Sequence, residues 1–143
     1  VGSREKVRSR SEQRFALSLP AAPDLFLALR GFLGQVLAAR GLREQEIGQL
    51  TLVVQEAVTN IHRHAYRGAA GAVRLEALLG DDAIELRFED GGPAFDPTTV
   101  PLRPLDSPAE GGRGIALIRA LSDGLRYERR RGRNRLTVVK RRS

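Results

Sequence analysis

Apolar residues near the start of the chain switch from a period of two to one near 3.6. RFALSL, Arg14 to Leu19, alternates as a half-buried strand does, and Pro20 closes it. After Pro23-Asp24, LFLALRGFLGQVLAARG spaces its apolar residues at helical intervals as far as Gly41. Gly31 and Gly34 inside that helix each cost about 1 kcal/mol against alanine, which points to close packing at both. REQEIGQLTLVVQEAVTNIHRHAYRG predicts a second, longer helix with Gly68 just past its end. On a helical wheel Ile47, Leu50, Val53, Val54, Ala57, Val58, Ile61 and Ala65 fall in one apolar stripe. VRLEALL and AIELRFED return to strict alternation on either side of Gly80-Asp81-Asp82, the pattern of a β-hairpin. From Gly91 to Gly112 the chain is rich in glycine and proline and has no period, a length at which loops are often functional. GIALIRALSD predicts a short helix, and LRYERRR and RLTVVKRR a second hairpin turning at Gly132-Arg133-Asn134.

Strands that come in hairpins, rather than each alternating with a helix, predict an α+β fold. The expected architecture is a two-layer sandwich with helices on one face of a mainly antiparallel, mixed sheet. The 143 residues suit one domain, read as 14–143, preceded by a polar tail without period, 1–13, expected to be disordered. The absence of cysteine excludes disulfides and thiolate metal sites. No apolar run approaches the roughly 18 residues of a membrane span, and the first residues lack the apolar core of a signal peptide, so a cytoplasmic domain is expected. The net charge of +7 comes almost wholly from arginine, clustered between Arg4 and Arg14 and between Arg126 and Arg142. Such clusters fit nucleic acid, an acidic protein partner or a merely solvated surface. With aromatic residues at 5% and no aromatic-rich strand motif, a base-stacking platform is disfavoured, and direct nucleic-acid binding with it.

Three stretches carry candidate chemistry. In EAVTNIHRHAY, residues Glu56, Asn60 and His64 stand four apart and climb one side of the helix, drifting about 40° per step along the border of the apolar stripe. Asn60 offers a carbonyl oxygen suited to Mg²⁺ when phosphates and water supply the other ligands. Glu56, one turn earlier, is placed to take a proton from an attacking hydroxyl or water. An ordinary polar helix flank has the same spacing, so this stretch alone decides nothing. In FEDGGPAFDP, Asp90 ends a predicted strand before two glycines and is suited to accept a hydrogen bond from an exocyclic amine such as adenine's. A turn aspartate is the plainer alternative. In EGGRGIALI, Gly111, Gly112 and Gly114 run into a helix start, where unpaired N–H groups favour an anion. That run matches neither the GxxxxGK[ST] phosphate loop nor the dinucleotide fingerprint.

In this order EAVTNIHRHAY, DGGPAFDP and GGRGIALI resemble the N, G1 and G2 boxes of the ATP-binding superfamily shared by gyrase B, MutL and histidine kinases. Within it the chain is most similar to bacterial anti-sigma-factor serine/threonine kinases, and NRLTVVKR resembles their last strand. The resemblance spans about residues 14 to 141 and implies the Bergerat-type ATP-binding fold. It implies Glu56 as general base and Asn60 as Mg²⁺ ligand. Asp90 would read the adenine amine, supported through water by Thr137, and Gly92 would let the backbone approach the base. Gly112, Arg113 and Gly114 would cradle the phosphates, Gly111 and Ile115 would belong to the same ATP site, and residues 97–111 would form a short lid. His64, Tyr66 and Phe95 match the boxes. Ala94 departs from them, standing where many relatives carry glycine, a change that stiffens the loop. The cofactors implied are ATP and Mg²⁺. The partners implied are a sigma factor, an anti-anti-sigma antagonist as phosphate acceptor, and a second copy of the chain. A nucleotide-binding module that acts only by sequestering a protein is the alternative, against which the presence of both Glu56 and Asn60 argues.

Overall fold

A computed structural model of the chain describes residues 12–99 and 113–142. Most of the expected tail, most of the lid, and Gly111 and Gly112 lie outside the described residues. The elements in order are β1 (Gln13–Pro20), α1 (Pro23–Ala39), α2 (Glu44–Asn60), a π-helical turn (Ile61–Ala65), β2 (Ala72–Leu79), β3 (Ala83–Asp90), a 3₁₀ turn (Pro97–Thr99), α3 (Arg113–Ala120), β4 (Gly124–Arg130) and β5 (Arg133–Arg141).

The five strands form one sheet in the order β1-β2-β3-β5-β4. Every neighbouring pair among the described residues is antiparallel, so the sheet is not mixed as expected. The connections explain this. The two helices between β1 and β2 run up and back, returning the chain antiparallel to the strand it left. The single helix α3 carries the chain over from β3 to a strand that runs parallel to it, and β5 enters between the two and pairs antiparallel with both.

Alternation along the strands separates the two faces as the sequence pattern demands. Ile84, Leu86, Phe88 and Asp90 of β3 are buried on the helix side, in one core with Val53, Val54, Ala57 and Val58 of α2 and Ile115 and Ile118 of α3. Glu85, Arg87 and Glu89 of the same strand lie on the opposite face. There Arg87 pairs with Glu85 and Glu76, and Glu89 with Arg133 and Arg135.

Two details of the helices differ from the sequence expectation. Among the described residues nothing lies within 4 Å of a Cβ built on Gly31, and one on Gly34 meets only Ile47, at an ordinary 3.6 Å. Close packing therefore does not account for Gly31. Leu25 and Phe32, both 56% exposed, lie with Leu29 on an outer face of α1. The long second helix also stops being an α-helix at Asn60, where the chain widens into the π-helical turn closed by Tyr66 N–H to the Ile61 carbonyl at 2.9 Å. Such turns insert an extra residue and recur at functional sites.

One buried ion pair anchors the frame that carries the site. Glu46, in the first turn of α2, accepts hydrogen bonds from the Arg43 backbone N–H at 3.0 Å and from Arg142 Nε and Nη2 at 2.8 and 3.0 Å. Arg142 also donates to the Gly80 carbonyl at 2.9 Å, so the end of β5, the β2–β3 turn and the start of α2 meet at one guanidinium. The Arg142 hydrogen bond is the main cause that holds the Glu46 carboxyl down from 4.5 to about 2, against the opposing effect of burial. A depressed carboxylate stabilises the fold fully above its unfolded pKa. That contribution disappears as pH falls from about 4.5 through about 2. Glu46→Gln is accordingly expected to lower stability at pH 7 by roughly 3 kcal/mol and to flatten the acid limb. Denaturant melts of both proteins across that pH range measure the effect.

Candidate functional site

Three expected site residues meet where α3 begins. A Cβ built on Gly114, the second residue of α3, would lie 3.6 Å from both Glu56 Oε1 and Asn60 Oδ1. The opening turn of α3 thus faces the carboxylate and carboxamide of α2, with no side chain between them at this position. Glu56 and Asn60 are both half-buried at the edge of the core, and Glu56 has no ion pair among the described residues. Ile115, next to Gly114, is buried in the core and anchors the start of the helix. Arg113 begins α3.

The other side of the site forms where β3 ends. Asp90 is 2% exposed, and its Oδ1 accepts the Gly92 N–H at 2.9 Å in a tight turn. Gly92 packs on the π-helical turn: a Cβ there would come within 3.0 Å of the Ala65 carbonyl oxygen and 3.2 Å of Ala65 Cβ. The need for glycine at this position is met by protein contact. A cavity of about 10 Å³, room for about one water, lies beneath this turn, lined among others by Asn60, Phe88, Asp90, Phe95, Asn134 and Leu136.

Thr137 is not part of it. The β3–β5 register sets Thr137 opposite Arg87 and Asn134 opposite Asp90. Positions three apart on a strand face opposite sides of a sheet, so Thr137 lies on the face away from Asp90. Its buried hydroxyl has no hydrogen-bond partner among the described residues. The group beside Asp90 is the carboxamide of Asn134, whose Nδ2 donates to Asp90 Oδ1 at 2.9 Å. The sequence reading placed Asn134 in the hairpin turn. The turn instead falls one residue earlier, at Arg131 and Gly132, both with positive φ.

The end of the first box holds the second in place. The Tyr66 hydroxyl donates to the Ala72 carbonyl at 2.7 Å and accepts the Gly91 N–H at 3.1 Å, while its ring fills the space that a Cβ on Gly71 would need. His64 stacks on Phe95 with ring centroids 4.9 Å apart and an interplanar angle of 21°. Burial, and then the charge of Arg63, push the His64 pKa below its ordinary value, so the stack is neutral at pH 7. Because the widened turn intervenes, His64 does not simply continue the climb from Glu56 to Asn60. It stacks on Phe95, which lines the cavity, while Glu56 faces the start of α3 and Asn60 lies between the two.

The donors present fit a magnesium nucleotide. No cluster of three or more His, Cys, Asp or Glu among the described residues could hold a metal on its own. Asn60 Oδ1 is a hard oxygen beside the start of a helix, the setting in which a cation shared with phosphate oxygens is held by one or two protein ligands.

A two-layer α+β domain in which the start of α3 meets Glu56 and Asn60, with a small cavity under the β3 turn, is of the ATP-binding class that comparison with known proteins identifies. The chain belongs to the histidine kinase-like ATPase domain family, which it matches over residues 19–140. It is 33% identical over 122 residues to the serine-protein kinase RsbW of Listeria monocytogenes, across 79% of this chain and 78% of that one. It is 39% identical over 95 residues to the serine/threonine-protein kinase BtrW of Bordetella bronchiseptica, across 63% of this chain and 67% of that one. Among solved structures it resembles the RsbU and RsbW domains of Rv1364c from Mycobacterium tuberculosis, with a TM-score of 0.61 and 20% identity. That match takes in 92% of this chain but only 33% of the other, and it speaks for the fold. Among the described residues no helix is long and apolar enough to cross a membrane.

Proposed function

We propose that the chain is a serine/threonine protein kinase that transfers the γ-phosphoryl group of ATP to an anti-anti-sigma protein, and that it holds a sigma factor when that antagonist does not oppose it. The observation that carries the reading is the approach of Gly114 to Glu56 and Asn60, which brings a candidate base, a candidate magnesium ligand and a helix start to one point. Glu56 takes the proton of the acceptor hydroxyl as its oxygen bonds to phosphorus and the bond to the leaving ADP oxygen breaks. The first amides of α3 would hold the triphosphate on the other side of the cleft, and Asn60 Oδ1 would hold the accompanying magnesium. Magnesium, when bound, supplies positive charge against the phosphate oxygens. Asp90 takes the adenine amine at the far end. Pairing with a second copy is supported by the apolar face that Leu25, Leu29 and Phe32 leave exposed on α1.

Incubation with γ-labelled ATP, magnesium and an anti-anti-sigma protein tests the proposal. The label is expected on a serine or threonine of that protein. Tight ATP binding with no transfer to any antagonist offered would instead favour a module that acts by sequestration alone.

A further inference from the structure

We propose that Asn134 is the positioning residue of the base site: its carboxamide sets the orientation of Asp90 and ties it to the segment that covers the cavity. The proposal rests on the reading of Asp90 as the group that takes the adenine amine.

Asn134 is 3% exposed and its side chain is fully engaged. Its Nδ2 donates to Asp90 Oδ1 and to the Pro93 carbonyl, each at 2.9 Å. Its Oδ1 accepts the Phe95 N–H at 3.2 Å, Arg129 Nη1 at 3.1 Å and the Tyr127 hydroxyl. The amide nitrogen thus meets only acceptors and the oxygen only donors. A flipped amide would set donor against donor on one side and acceptor against acceptor on the other, so a single orientation fits.

The consequence for Asp90 follows from counting its bonds. Oδ1 accepts two, from Asn134 Nδ2 and from the Gly92 N–H. Among the described residues Oδ2 accepts none. Asn134 and Gly92 therefore hold one carboxylate oxygen and leave the other for an amine donor that enters the cavity. A carboxylate free to rotate about its last bond would present neither oxygen in a fixed place.

The same amide holds the cover. With room for about one water, the cavity admits a purine only after the segment that includes Pro93 and Phe95 has moved outward. Both residues are bonded to Asn134, and Arg129 reaches from β4 to the Gly92 carbonyl at 2.8 Å as well as to Asn134. Asn134 is thus the point at which the orientation of Asp90 and the position of the cover are joined. Closing over a base restores the bonds to Pro93 and Phe95 only when Asp90 is correctly turned, which makes Asn134 a determinant of base selectivity.

The test compares ATP with inosine 5′-triphosphate, which carries a carbonyl in place of the amine, on the full chain. The wild type is expected to prefer ATP. In Asn134→Ala that preference should fall about tenfold or more through weaker ATP binding, while inosine triphosphate binds as before or better. Asn134→Ser, which keeps a hydroxyl donor, should lie between the two. The preference is a ratio and does not depend on the fraction of protein that is folded. If the alanine variant binds neither nucleotide, the serine variant decides by the same ratio. A parallel loss of both nucleotides with an unchanged preference would overturn the proposal and leave Asn134 a fold-stabilising residue. A wild type with no preference between the nucleotides would instead sink the reading of Asp90, and the role of Asn134 with it.

Discussion

Glu56→Gln is expected to leave ATP binding within about twofold of the wild type and to lower phosphoryl transfer roughly 10²–10⁴-fold, the usual contribution of a positioned general base. The substitution separates the two quantities because it preserves shape. A carboxamide fits where the carboxylate stands beside Gly114 and Asn60, and no ion pair among the described residues is broken by removing the charge. What disappears is the carboxylate that can accept the hydroxyl proton. Equilibrium nucleotide binding measured beside single-turnover transfer distinguishes a lost chemical step from lost binding. Transfer at the wild-type rate would show that the hydroxyl gives up its proton elsewhere and that positioning and charge alone carry the reaction.

The parts of this site that were legible in the sequence are those set by local periodicity. The helix that presents Glu56 and Asn60 follows from its apolar stripe, and its burial matches that stripe from Leu50 through Ala65. Asp90 could be placed at a strand end because AIELRFED alternates without a break. What the sequence hid is set by register and by contacts between distant segments. A hairpin turn misplaced by one residue sends each side chain of a strand to the wrong face. Placing the turn at Gly132-Arg133-Asn134 kept Asn134 out of β5, and the family resemblance then favoured Thr137. The useful signal was a pairing argument: in an antiparallel pair the last residue of β3 meets the second residue of β5, and here that residue is a buried asparagine. The widening of α2 at Ile61 has no periodicity of its own, since Ile61 and Ala65 remain buried whether the turn is α or π. The Glu46–Arg142 pair joins residues 96 apart and was invisible for the same reason.

Asp90→Asn should reverse base selectivity rather than merely weaken binding. The buried network leaves the new carboxamide one orientation. Its Oδ1 must continue to accept the Gly92 N–H and the Asn134 Nδ2 hydrogen, because a flip would press three donors together in a site from which water is nearly excluded. The new amide nitrogen therefore stands where Oδ2 stood, facing the base. Adenine then offers its amine to another donor and loses a hydrogen bond to a charged acceptor, worth about 10–100-fold in affinity. Inosine triphosphate offers a carbonyl oxygen to that same donor and should gain. The expected result is a variant that folds as the wild type does, binds ATP about 10–100-fold more weakly, and prefers inosine triphosphate. Competition between the two nucleotides for one site measures the reversal directly. An unchanged preference for ATP in Asp90→Asn would mean that the amine is recognised by some other group, and that the Asp90–Asn134 pair serves to hold the end of β3 against β5.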